Sequence, residues 1–277
     1  MRHGPDIGLG IGDHGGVHGH DASPPGPWWG KIRPVDTLRV RTGGAGGPTV
    51  LLLHGLGATG AVWDGLTERL DRRWVAPDLP GHGRSGRLRR YSFGAMAGAV
   101  AEHLPAGEPV TVVGHALGGV LAIALASGWF GVEVRRAVAV GVKVEWTDDE
   151  LAGAAAMAHR PVKVFGSKEE AAQRYLKASG LGGLMPADPD GLAATGDGWR
   201  LALDPQTFAV GRPDMRGLLA AAKCPVLMVT GENDPMSAPE QVRALAEHVE
   251  VLPGLGHNLH VEDPGTLMDV ITRTGGW

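Results

Sequence analysis

The sequence predicts an α/β protein: a mostly parallel, twisted sheet with helices on both faces and a helical insertion. Three observations carry this expectation. Short apolar runs such as PTVLLLHG (48–55) and PVTVVGHA (109–116) are bounded by turn residues and lack polar alternation, as strands covered on both faces do. Segments with helical spacing separate these runs, so successive strands need crossovers and fall parallel. The alternation breaks once, between about residues 145 and 222, where two helical patterns follow one another.

The 277 residues suit one large α/β unit, and 43% hydrophobic with 20% charged residues is the balance of a soluble globular protein. A net charge of −4 and no basic run longer than RLRR (87–90) argue against nucleic acid or an anionic membrane as partner. No apolar run reaches the roughly 18 residues of a membrane span. The N-terminus lacks the apolar core of a signal peptide, so a cytoplasmic protein is expected. The lone Cys224 has no partner for an intramolecular disulfide and is expected to pack at the start of a buried strand.

Residues 1–27 read as an irregular extension rich in Gly, His and Pro. His3, His14, His18 and His20 lie here. His18 and His20 could share an ion, but two close histidines rarely make a specific site without further fixed ligands. GLGIGDHG looks like a phosphate-binding loop, yet no strand precedes it and no helix follows.

From Trp28 the pattern is regular. KIRPVDTLRVRT followed by GGAGG suggests an antiparallel hairpin. PTVLLLHG is a buried strand, GAVWDGLTERL (60–70) a helix, and RWVAPDLPG (73–81) a strand ending in turn residues. SFGAMAGAVAEHL (92–104) is a helix with Ser92 as N-cap. PVTVVGHA is a strand and LGGVLAIALAS the helix after it. VRRAVAVGVKV (134–144), PVLMVTGEND (225–234) and HVEVLPG (248–254) are further strands. APEQVRALAEH and GTLMDVITRT supply the last helices. In the insertion, Thr147 with Glu150 and Ser167 with Glu170 form two capping boxes, and Gly180 stops the second helix. PADPDGLAATGDG reads as a loop with at most a short helix.

Five turns then fall at predicted strand ends: His54-Gly55-Leu56-Gly57, APDLPGHGRSG (76–86), VVGHALGG (112–119), TGENDPM (230–236) and LPGLGHNLH (252–260). Their order and spacing resemble the α/β-hydrolase superfamily, in its lid-bearing, esterase-like branch, over roughly residues 30–277. The resemblance implies a core of residues 28–144 and 216–277, with a helical lid of residues 145–215. It also implies roles. Gly114 and Gly118 flank the nucleophile's place, which Ala116 occupies. The amides of Leu56 and Leu117 form the oxyanion hole. His257 is the base, oriented by Asp234, with Glu232 a weaker rival. His54 is structural, His82 and Ser85 shape a turn, and His260 is structural or supports the site from behind.

Trp63, His115, Trp146 and Met236 are the expected substrate-binding residues. For Trp63 packing against the sheet is the alternative, and for His115 a packing or hydrogen-bonding role. Trp199 and Phe208 belong either to the lid core or to a ligand wall. The implied partner is a small ester-like molecule, apolar or amphipathic. No phosphate loop, metal quartet or cofactor fingerprint occurs, so no cofactor is expected. Nothing in the sequence sets an oligomeric state.

Alanine at 116 admits three readings. A serine replaced by alanine would leave an inactive carboxylic ester hydrolase, also suited to a lactone or thioester, with base and oxyanion amides retained. A natural alanine would leave His257 and Asp234 to activate water or abstract a proton, as in a lyase or cyclase. A ligand-binding protein would need neither.

Overall fold

A computed structural model describes residues 37–104 and 107–275. The expected extension of residues 1–27, with its four histidines, lies outside them. The chain forms β1 (Val40–Gly43), β2 (Thr49–Leu53), β3 (Trp74–Pro77), β4 (Val110–His115) and β5 (Val134–Val140). After an insertion holding β6 (Leu192–Thr195) and β7 (Gly198–Leu201) come β8 (Val226–Gly231) and β9 (Val249–Leu252). The helices are α1 (Asp64–Thr67), α2 (Phe93–Ala101), α3 (Leu117–Ala126), α4 (Asp148–Ala158) and α5 (Lys168–Ser179). They continue with α6 (Met215–Ala221), α7 (Pro239–Leu245), α8 (Leu259–Glu262) and α9 (Pro264–Arg273).

Seven strands make one sheet in the order β1-β3-β2-β4-β5-β8-β9, parallel throughout except for β1. Of the hairpin expected at the start, residues 31–36 lie outside the described residues. β1 is antiparallel to β3, with Val40 opposite Pro77. The reason lies in β2, whose five residues are all buried. Such a strand needs neighbours on both edges, and β3 and β4 take them.

The period-two alternation of each strand divides the core. Val50, Leu52, Val113, Val138 and Val140 face Leu66 and the apolar side of α9, Leu267, Val270 and Ile271. Leu51, Leu53, Val110, Val112 and Ala137 face α2 and α3 on the other side. All ten residues of α3 are buried, because the sheet covers one side of it and α2 and α6 cover the other. Cys224 is half-buried just before β8, where burial pushes its thiol pKa up. Among the described residues no helix is long and apolar enough to cross a membrane.

Between β5 and β8 the chain leaves the sheet. The Thr147 capping box is complete, with both reciprocal hydrogen bonds. The second is half-formed: Ser167 Oγ accepts from Glu170 N–H, but Glu170 turns to accept from Gly166 N–H at 3.2 Å. Gly180 ends α5 in the left-handed region, as expected (φ 70°). PADPDGLAATGDG is not a simple loop. A short 3₁₀ turn at Pro189–Gly191 leads into β6, which pairs antiparallel with β7 across Gly196-Asp197. The strands are four residues each, too short for alternation to declare them. The predicted helix 60–70 is also broken, into a 3₁₀ turn (Gly60–Trp63) followed by α1.

Several hydrogen bonds tie the insertion to the core, among them the following. Thr59 Oγ1 donates to Asp188 Oδ2 at 2.6 Å. Asn258 Nδ2 donates to the Gly180 carbonyl at 3.0 Å. Gly83 N–H donates to the Ala202 carbonyl at 2.7 Å, beside a bridge between His82 and Leu203.

Candidate active site

The chain runs from β2 to β3 in one direction across the sheet and from β4 to β5 in the other. The loops after β2 and β4 therefore flank a topological switch point, where open α/β sheets bind ligands. The turn after β4 is sharp. Ala116 has φ 46° and ψ −110°, and it is the one non-glycine with positive φ among the described residues. A side chain here costs on the order of 1–3 kcal/mol of backbone strain. The glycines make room for the turn. A Cβ on Gly118 would lie 2.2 Å from the Leu53 carbonyl oxygen, and one on Gly114 would lie 2.1 Å from that of Gly118.

His257, after β9, reaches Asp234, after β8. Its Nδ1 lies 3.1 Å and 3.0 Å from the two carboxylate oxygens. Asp234 is buried, and its Oδ1 also accepts from the amides of Met236 (2.8 Å) and Ser237 (3.2 Å). With Nδ1–H donated to the carboxylate, the other ring nitrogen keeps its lone pair and serves as an acceptor. Glu232 is engaged elsewhere, accepting from Gly254 N–H at 2.8 Å.

Ala116, Leu117, Leu56 and His257 line one cavity of about 110 Å³ that is open to solvent. Leu117 N–H is the first of α3, which the helix itself cannot satisfy. Among the described residues neither it nor Leu56 N–H has a hydrogen-bond acceptor. Two free amides beside the turn can receive an anionic oxygen. The remaining wall comes from Phe93 and Val120, from Gly141, Lys143 and Trp146 after β5, from Val210 and Pro213 of the insertion, and from Met236. It is almost entirely apolar.

Of the four expected substrate-binding residues, Trp146 and Met236 line the cavity and Trp63 and His115 do not. Trp63 is fully buried in the core, its ring 4.7 Å from that of His260. It follows the loop after β2, but the 3₁₀ turn aims it inward. His115 is buried behind the turn. Its Nε2–H donates to the His257 carbonyl at 3.0 Å, and its ring lies 4.1 Å from His260 and 4.7 Å from His257. A Cβ on Gly55 would sit 2.7 Å from His115 Nδ1, and one on Gly141 would meet its ring at 3.2 Å. His115 is thus wedged between the loops that carry Leu56 and His257.

Three other histidines, His54, His82 and His260, are buried. His54 Nε2 accepts from Leu79 N–H at 2.8 Å, so its Nδ1 carries the proton and donates to the Gly55 carbonyl. Burial lowers its pKa to about 4. His82 and His260 are pushed to about 3, mainly by burial, and His115 is held well below its ordinary value for the same reason. All four stay neutral near pH 7. Ser85 Oγ donates to the Asp78 carbonyl at 2.6 Å, which ties down a turn. Trp199 pairs with Phe165 inside the insertion, and neither it nor Phe208 lines the cavity. Phe93, Val120, Gly141, Lys143, Val210 and Pro213 were not anticipated. They come from separate segments, and no motif marks them. Among the described residues no group of three or more His, Cys, Asp or Glu is placed to hold a metal ion.

A parallel sheet with an acid–base pair, a sharp strand-to-helix turn and two free amides at its carboxyl edge is the architecture of an α/β hydrolase. The chain belongs to the alpha/beta hydrolase family, whose model matches residues 50–270. It is similar to a magnesium-chelatase 30 kDa subunit of Rhodobacter capsulatus, 40% identical over 103 residues, or 35% of this chain and 36% of that protein. The chain is also similar to a pimeloyl-[acyl-carrier protein] methyl ester esterase of Chromobacterium violaceum. Identity there is 30% over 220 residues, covering 73% of this chain and 82% of that one. Among solved structures it resembles E-2-(acetamidomethylene)succinate hydrolase, with a TM-score of 0.73 and 24% identity over 87% of this chain and 97% of that one.

Proposed function

We propose that the site is built to hydrolyse a carboxylic ester, and that Ala116 leaves it able to bind and polarise substrate but not to form an acyl-enzyme. The observation that carries this reading is the convergence of the His257–Asp234 pair, two free amides and a strained turn on one apolar cavity. The similarity to a methyl ester esterase points to the same bond class, and a lactone or thioester carbonyl would fit the same two amides. A serine at 116 would pass its proton to His257 as it attacks the ester carbonyl. Asp234 would stabilise the imidazolium, and the amides of Leu56 and Leu117 would hold the oxyanion. His257 would then return the proton to the departing alcohol and activate the water that releases the acid. With alanine in that place, only direct attack by water remains.

Residues 145–215 act in this reading as a lid over the core of residues 28–144 and 216–277. Val210 and Pro213 reach the cavity from this segment. The strain at Ala116 favours a replaced nucleophile over a water-activating or purely ligand-binding site, because neither of those needs a residue held at positive φ.

Steady-state hydrolysis of graded p-nitrophenyl acyl esters by the unchanged chain and by Ala116→Ser tests the proposal. Ala116→Ser is expected to gain at least about a thousandfold, within the range a nucleophile contributes, and to show a burst of acyl-enzyme. Equal rates in the two forms would overturn it.

A further inference from the structure

The cavity wall is apolar, yet Lys143 stands on it, the one Lys or Arg among its described lining residues. Its charge does not face the cavity. Lys143 Nζ lies 2.7 Å from Glu150 Oε1 and 5.4 Å from the centre of the Trp146 ring. Glu150 is fixed for this contact. Its Oε2 accepts from Thr147 N–H at 2.9 Å, and its own N–H donates to Thr147 Oγ1 at 3.2 Å, which is the capping box of α4. Two carboxylates nearby have other partners: Asp148 pairs with Arg212 and Glu145 accepts from Gln241. Lys143 is thus drawn onto one immobilised carboxylate, and its alkyl stem is what remains for the cavity, as long cationic side chains permit.

We propose that Glu150 sets the charge preference of this cavity. By holding the Lys143 ammonium it keeps the wall neutral, so the site takes esters whose acyl chain is uncharged. Releasing Lys143 turns the same cavity toward esters with a carboxylate at the far end of the chain. The proposal rests on the cavity being the acyl site described above. It makes Glu150 and Lys143 determinants of specificity and not participants in bond cleavage.

Dimethyl adipate and monomethyl adipate are matched probes, because they share a chain length and differ in one terminal charge. Binding of both to the unchanged chain is read by tryptophan fluorescence and calorimetry, without turnover. The unchanged chain is expected to favour dimethyl adipate. Glu150→Gln keeps the cap, since Gln serves at this position as Glu does. It is expected to shift the affinity ratio toward monomethyl adipate by roughly fivefold, the upper range for a solvent-exposed ion pair. Raised salt should shrink that shift, and adding Lys143→Met should erase it.

An unchanged ratio in Glu150→Gln, or a shift that survives Lys143→Met, overturns the proposal. Turnover of both probes by Ala116→Ser with a ratio indifferent to Glu150→Gln sinks the charge preference and leaves the hydrolase reading standing. A ratio that responds in binding, with no turnover by Ala116→Ser, does the reverse.

Discussion

Ala116 holds a backbone conformation that an alanine disfavours, at φ 46°. Ala116→Gly should therefore raise stability to urea by about 1 kcal/mol, the relieved strain less the entropy a glycine adds to the unfolded chain. A destabilised glycine variant would mean that the turn is unstrained. The flanking glycines have no such latitude. Gly118→Ala puts a methyl 2.2 Å from a backbone oxygen of β2, which can yield only by moving the strand. A loss above about 3 kcal/mol, or failure to fold, is expected from overpacking of this kind. GHALGG declares this geometry in its letters, because glycine spacing is a local property. His115 shows the limit of such reading. It touches His257, 142 positions away, through a carbonyl that no motif names.

The elements around the site hold one another by side-chain anchors as well as by backbone pairing. Thr59 follows the loop after β2 and donates to Asp188 of the insertion. Thr59→Val removes the donor and leaves a carboxylate oxygen short of a partner. A cost of about 1–3 kcal/mol is expected, with faster amide exchange in β6 and β7 than in β4. Uniform exchange across the molecule would show that the anchor does not act locally. Helices with strong termini were legible from sequence: Ser92, Thr147 and Gly180 cap as their residue types dictate. The β6–β7 hairpin was not, because two four-residue strands joined by Gly-Asp resemble a loop until Phe165 pairs with Trp199.

At the scale of the whole molecule, the buried histidines couple folding to pH. His54, His82 and His260 have folded-state pKa values of about 4, 3 and 3, all below the ordinary 6.5, and His115 is also depressed. Below pH 6.5 the unfolded chain takes up protons that the folded chain refuses. Their contribution to stability is therefore complete above pH 6.5 and is lost as pH falls toward 4. Each histidine contributes a slope of up to about 1.4 kcal/mol per pH unit in that window. Asp78, whose carboxyl burial raises, works in the opposite sense at the acid end. Urea midpoints measured from pH 7 to 4 should fall, and His260→Phe should flatten the fall. An unchanged slope in that variant would mean that His260 takes up its proton in the folded state.

The sequence by itself determined the class of fold, the order of the strand-end turns, and the pairing of His257 with Asp234 in preference to Glu232. The fold class and the turns rest on hydrophobic period and turn chemistry, while the pairing is what the resemblance to the α/β-hydrolase superfamily implies. The tertiary structure alone decided that Trp63 and His115 lie behind the site, that β1 joins β3, and that Lys143 gives its charge to Glu150. Each of these depends on which element covers which face. Burial and partner choice are properties of surfaces brought together by folding, so a window of neighbouring residues does not contain them.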